Sequence, residues 1–284
     1  MSAVAPARPG SAFLSGILRD RRAALGCALV LLACLAALAA PLIAPFDPND
    51  PDFAAILSPP SAVHLFGTDD LGRDTFSRVV YGARVSLFVG ILSVAGALVA
   101  GTALGLIAGA FGELTDRLIM RVMDVIFAFP SILLALAITA VLGPSLSNAV
   151  LAIAVVNLPV FARIARAQTL VVRRLDFVEA QRALGFGPWT ILFTTIMPNI
   201  LAPIIVQGSL LFAAAIITES YLSFLGLGAQ PPTPTWGNML KNAIGFLDLA
   251  PWLAWFPGAA IFLTVLGFNL FGDALRDIFD PRNT

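Results

Sequence analysis

Few side chains in this 284-residue sequence could do covalent chemistry. It has one histidine, His64, one lysine, Lys241, and two cysteines, Cys27 and Cys34, in a single apolar run. Two cysteines that far apart on one helix cannot bridge, so both read as small hydrophobes. No GxxxxGKS/T phosphate loop, HExxH or GxSxG occurs, and Lys241 has no glycine loop around it. The chain is therefore read as non-enzymatic, without a cofactor or metal of its own. His64, in SAVHLFGTDD, reads as a structural loop histidine, with metal binding beside Asp69 and Asp70 as the alternative.

What remains is non-covalent chemistry. Glu179, Ala180, Gln181 and Arg182, then Gly185, Phe186 and Gly187, open the segment 179–198, EAQRALGFGPWTILFTTIMP, which interrupts apolar sequence. Arg163, Arg166, Arg173 and Arg174 precede it. Ala180, Ala183 and Leu184 offer a small apolar patch beside Glu179 and Arg182. Gly185 and Gly187 break that helix, and Pro188 can start the next turn. A helix–turn–helix knob of this kind suits a cleft in another protein; a plain interfacial connector is the other reading. Three charges also lie within apolar sequence: Arg121 and Asp124 in LIMRVMDVIFAFP, and Glu219 in IITESYLSFLGLG. Ionised groups in a membrane need a partner or water. Arg121 and Asp124 are spaced to share a helix face, as a structural pair or as part of a translocation path or gate, and Glu219 is a candidate for the same role.

These residues must be carried by membrane helices. With 58% hydrophobic and 12% charged residues and a mean hydropathy of +0.90, the chain has more apolar surface than a soluble domain of its size can hide. Net charge is zero, which points to no nucleic-acid partner. Six segments approach the roughly 20 residues needed to cross a bilayer: 23–44, 86–110, 118–141, 148–165, 199–222 and 251–272. The first exceeds the ~7–15-residue apolar core of a signal peptide and reads as a retained span. The fourth is interrupted by Asn157 and Pro159, with a backbone that a helix bundle can satisfy. The expectation is an all-α polytopic protein with six transmembrane helices and a lipid bilayer for surroundings.

Orientation follows from the basic residues. With the N-terminus inside, all but Arg73, Arg78, Arg84 and Lys241 of the 17 fall on the cytoplasmic side, Arg8, Arg19 and Arg282 among them. Positive-inside then places both termini in the cytoplasm. The expected division is a cytoplasmic segment 1–22, a first helix 23–44, and an external loop 45–85 with an interfacial helix. A five-helix core 86–272, which includes the coupling region 163–198, and a tail 273–284 follow. Span two carries Gly101, Gly105 and Gly109, a small-residue face on which another backbone can pack closely.

The 179–198 segment resembles the EAA loop of ABC-importer permeases. That pattern runs EAA, three residues, Gly, nine residues, a hydrophobic or histidine position, one residue, Leu-Pro. Glu179, Ala180, Gly185 and Pro198 fall on it; Gln181, Thr195 and Met197 depart from it. FGTDDLGRDTFSRVVYGARVSL resembles the external signature of the second-permease type of dipeptide, oligopeptide and nickel importers, through Asp70, Gly72, Arg73, Asp74 and Arg78. MRVMDVIFAFPSILLALAI, ESYLSFLGLGAQPPTPTWGNML and the DPR ending resemble later parts of the same family.

The resemblance implies a type I ABC-importer permease fold in a bacterial inner membrane. It implies a homologous permease partner, two ATP-binding subunits that hold ATP and magnesium, and an extracytoplasmic solute-binding protein. Glu179, Ala180, Gln181, Arg182, Gly185, Phe186 and Gly187 would couple to the ATPase, and each permease would form half of the pathway. Di- or oligopeptides are the expected cargo, with nickel chelates or another small solute as the alternative. An ion-gradient transporter using Glu219 and Asp124 is the competing class.

Overall fold

The computed structural model describes residues 20–279, so Arg8, Arg19, Arg282 and the DPR ending lie outside the described residues. Asp20 opens helix α1 (Arg21–Leu38), its side chain accepting from the Arg22 N–H at 2.9 Å, which satisfies one orphan donor of the first turn. A short helix α2 (Ala40–Ile43) follows. Asp74 caps α3 (Thr75–Ala110) by accepting from the Ser77 N–H and Ser77 Oγ, each at 2.7 Å.

Helix α3 runs 36 residues unbroken. The interfacial helix expected within 45–85 is therefore not a separate element; from Thr75 onward its residues are the first turns of the span. Trp236 stands against Gly82 within these turns, 3.1 Å from where a Cβ would be. The same indole donates from Nε1 to the Val79 carbonyl at 2.9 Å, which braces these turns.

The third span, expected over 118–141, is two helices. α4 (Glu113–Phe127) and α5 (Ser131–Leu142) meet at a 90° bend. Pro130, between them, has no N–H to donate and drives Phe129 out of helical geometry. Helix α6 (Leu146–Val172) is by contrast longer than the expected 148–165 and passes through both supposed interruptions. Asn157 turns its Nδ2 back onto the Ile153 carbonyl at 3.0 Å. Pro159 is buried inside the bundle, where packed neighbours tolerate it.

Next come α7 (Asp176–Ala183), α8 (Pro188–Ile191), a π-helical turn (Leu192–Ile196) and α9 (Met197–Phe224). α10 (Trp236–Ala243) starts with a reciprocal capping box between Thr235 and Asn238, and α11 (Trp252–Phe279) ends the described chain. Among the described residues five helices are long and apolar enough to cross a membrane, and the bent pair makes six if counted as one span.

Helices α3, α6 and α9 form the core around Ile153, Phe161, Ile204, Ile216 and Leu222. α1 lies at the edge, its Leu31, Leu32 and Leu35 exposed as a lipid-facing surface requires. It meets α11 closely: a Cβ on Gly26 would lie 2.7 Å from Leu270 Cβ, and one on Gly267 2.8 Å from Leu29 Cβ.

The closest seam joins α3 to α6. A Cβ on Gly101 would lie 2.6 Å from the Leu158 carbonyl oxygen, and one on Gly105 2.2 Å from that of Ala162. At Gly109 it would meet Thr169 Cβ at 2.7 Å. Gly105→Val is expected to destabilise the protein by about 1–3 kcal/mol through overpacking. Gly258→Ala in α11, where a Cβ meets nothing within 4 Å, should be neutral. Thermal melting of the two variants in detergent checks both.

Candidate functional site

The segment from 173 to 196 builds a knob at one end of the bundle. Leu175, in extended geometry, leads into α7, and Val178 is the wholly buried peg of that helix. Gly185 has φ +84°, a left-handed conformation that glycine adopts without strain. Its neighbour Phe186 donates its N–H to the Gln181 carbonyl at 3.1 Å, closing the helix end. Pro188 then takes the first position of α8.

Around this turn Glu179, Ala180, Arg182, Gly185, Phe186 and Gly187 are all exposed, as are the large apolar Leu184 (76%) and Trp189 (54%). These apolar side chains stand exposed beside the charges of Glu179 and Arg182. Gln181 differs: it is half-buried and faces inward, accepting from Thr195 Oγ1 at 2.8 Å.

The knob is wired to the end of α3. Arg173 Nη1 donates to the Gly109 carbonyl at 2.6 Å, near the end of α3. The Phe111 ring packs on Trp189 with centroids 4.6 Å apart. Between them lies a pocket of about 220 Å³, lined by Phe111, Arg173, Arg182, Phe186 and Leu192 among others.

A larger cleft, about 670 Å³, opens at the same end between α4 and α6. Both predicted charges, Arg121 and Asp124, line it. The expected pairing between them is replaced by one across the cleft: Asp124 accepts from Arg163 Nη2 at 2.7 Å. The Arg163 guanidinium also stands over the Phe127 ring at 4.3 Å. Arg166 grips Asp116 through both Nε and Nη2, the latter at 2.6 Å.

Sequence reasoning missed Asp116 and treated Arg163 and Arg166 only as charges preceding the knob. Their spacing, three apart on a helix, was the available signal. The Arg163 and Asp124 side chains are 41% and 57% exposed on this chain, and where water reaches them such a pair is worth little more than a surface ion pair. Such a pair can open without a large cost.

Glu219 lies elsewhere. It is 0% exposed, and its carboxylate accepts from Ser86 Oγ at 3.1 Å and Ser223 Oγ at 2.7 Å. It thus fastens α9 to α3 inside the chain and does not line the α4–α6 cleft.

On the opposite end, the predicted Asp70, Gly72, Arg73, Asp74 and Arg78 come together with Asp69, which the sequence offered only as an alternative metal-binding neighbour of His64. Asp69 takes Arg73 Nε at 2.8 Å and lies 3.5 Å from Arg78 Nε. Arg73 also reaches Asp70 at 3.8 Å, and Arg78 Nη1 donates to the Pro48 carbonyl at 2.7 Å. His64 Nδ1 sits 3.0 Å from Asp74 Oδ1. Gly72, with φ +77°, leaves no room for a Cβ, which would fall 1.8 Å from the Asp52 carbonyl oxygen.

Apolar crossing helices, a charged cleft at one end and an exposed knob beside it define a membrane transport subunit. The chain belongs to the family described as binding-protein-dependent transport system inner membrane component, whose model matches residues 101–284. A second model, the N-terminal TM domain of oligopeptide transport permease C, matches residues 11–60. The chain is thus a permease subunit of an ABC importer, with the type I importer permease fold.

Its relatives include the dipeptide transport system permease protein DppC of Alkalihalophilus pseudofirmus, 50% identical over 93% of this chain and 87% of the relative. The glutathione transport system permease protein GsiD of Pectobacterium atrosepticum is 46% identical over 96% and 91%. A solved structure of the MetNI methionine ABC transporter, inward facing, matches with TM-score 0.59 at 16% identity, over 72% of this chain and 97% of that one. That likeness speaks for the fold alone.

Glu219→Ala would leave two buried serine hydroxyls without their acceptor and open a void. It is expected to destabilise the protein by about 2–5 kcal/mol. Glu219→Gln, which keeps an acceptor, should cost clearly less. Thermal melts in detergent separate the two.

Proposed function

We propose that this permease forms half of the pathway for small peptides and is driven by a separate ATPase docked on the 176–191 knob. The exposed Leu184, Phe186 and Trp189 rimmed by Glu179 and Arg182 carry the docking reading. Exposed apolar side chains rimmed by charge suit the cleft of a protein partner. Glu179 and Arg182 supply polar contacts, Ala180 lets the partner approach, and Gly185 with Gly187 sets the turn. ATP and magnesium reside in the ATP-binding subunits, one on this chain and one on a homologous permease.

The distribution of basic residues supports a cytoplasmic knob and cytoplasmic termini. The α4–α6 cleft then opens inward, where the ion pairs of Asp116 and Asp124 close the inner mouth, with Arg121 beside them. The external cap around Asp69, Arg73 and Arg78 faces the solute-binding protein. Relatives named for dipeptides, di/tripeptides and glutathione support a peptide cargo, since all are small peptides with charged ends.

Glu179→Arg is expected to cut ATP-driven uptake of a labelled dipeptide by tenfold or more, taking a contact loss of about 1.4 kcal/mol per decade, and to reduce ATPase co-purification. Unimpaired uptake by that variant would sink the docking reading. Orientation has its own check. A thiol placed at Leu184 (Leu184→Cys, with Cys27 and Cys34 removed) should react with an impermeant maleimide from the cytoplasmic side alone.

A further inference from the structure

Two of the three departures from the EAA pattern, Gln181 and Thr195, touch each other. Thr195 Oγ1 donates to Gln181 Oε1 at 2.8 Å across 14 residues of chain. Thr195 is only 8% exposed and Gln181 half-buried, so the bond is largely shielded from competing water. An alanine and an apolar side chain at these places would make no such bond; the two polar residues explain one another. They join particular elements. Gln181 is in α7, where Val178 is the buried peg and Glu179, Ala180 and Arg182 face outward. Thr195 is in the π-helical turn Leu192–Ile196 that runs straight into α9.

Building on the coupling reading, we propose that the Gln181–Thr195 hydrogen bond is the tie through which movement of the docked knob is carried into α9. Both are positioning residues. An apolar peg such as Val178 resists separation but leaves α7 free to turn about it; a directional bond at a second point removes that freedom. Its other end is well placed. A π turn holds one residue more per turn than its α-helical neighbours and is a common site of functional adjustment. Asn199 Nδ2 donates to the Thr195 carbonyl at 2.7 Å, so displacement of Thr195 reaches the first turn of α9 directly. α9 in turn carries Ile200, Ile204 and Glu219 into the core. Gln181 therefore acts on α9 and is not itself a docking contact.

The test uses the full complex with its companion permease, ATPase subunits and binding protein in proteoliposomes, with Ala-Ala as the probe. Thr195→Val and Gln181→Met should each reduce, about fivefold, the stimulation of ATP hydrolysis by added binding protein. Ala-Ala moved per ATP should fall by the same factor. The double variant should be no worse than either single, as partners in one bond require, and Thr195→Ser should match the original protein. ATPase co-purification should be undiminished in Thr195→Val, which separates loss of the tie from loss of docking or folding. Unchanged stimulation in both singles, or a double variant with the product of the two losses, would overturn the tie. A complex of the unaltered chain that holds no ATPase would overturn the coupling reading and the tie with it. Normal stimulation without Ala-Ala uptake would count against the peptide cargo alone.

Discussion

The α3–α6 seam is the contact on which the rest of the arrangement depends. Lipid is as apolar as leucine, so burying side chains gives little drive to associate; close backbone approach and the dispersion it allows must supply it. Gly101, Gly105 and Gly109 permit that approach, with hypothetical Cβ atoms colliding with α6 carbonyls. Because the two helices are locked together along this length, their ends have a defined relation. Arg173 at the end of α6 can then reach the Gly109 carbonyl, and Phe111 can pack under Trp189. The knob inherits its position from three glycines.

The same seam shapes the cleft. α4 leaves the end of α3 at Gly112, a residue with φ +97°, and is bent away from α5 at Pro130. Its charged face, with Asp116 and Asp124, therefore lies alongside Arg166 and Arg163 of α6. Acidic and basic side chains are accommodated in three ways across this molecule. Deep in the bundle, Glu219 receives two hydroxyl hydrogen bonds. At the cleft, partly solvated ion pairs bridge two helices. In the cap at the end opposite the knob, buried Arg73 and Arg78 share Asp69, and Arg78 also donates to the Pro48 carbonyl, which gives an irregular loop the rigidity that its lack of regular structure would otherwise deny it.

Much of this was legible from residue types. Helical class, the approximate place of each crossing and the helix–turn–helix form of 176–191 follow from local patterns: apolar length, Gly185 and Gly187 as breakers, Pro188 as a starter. The glycine face of α3 was legible for the same reason, since a four-residue interval lines one side of a helix. Readings failed where a distant residue decided the outcome. The interfacial helix expected within 45–85 became, from Thr75 onward, the first turns of α3, which Trp236 of α10 braces through the Val79 carbonyl. At Asn157 and Pro159, by contrast, the bundle around α6 satisfies the backbone as expected of that span.

By itself, the sequence determined which segments must be helices, which must lie in lipid, and where the polar knob interrupts them, because hydrogen-bond demand and hydropathy act over neighbouring residues. Tertiary structure alone decided partnership. Asp124 had an arginine three residues away and took one from another helix, 39 residues distant. Gln181 and Thr195, separate oddities along the chain, proved to be one bond. Ser86 and Glu219 meet across 133 residues. Side-chain pairing depends on which helix faces come into register, and that register is set by the close-packed seams between helices, which no local pattern encodes.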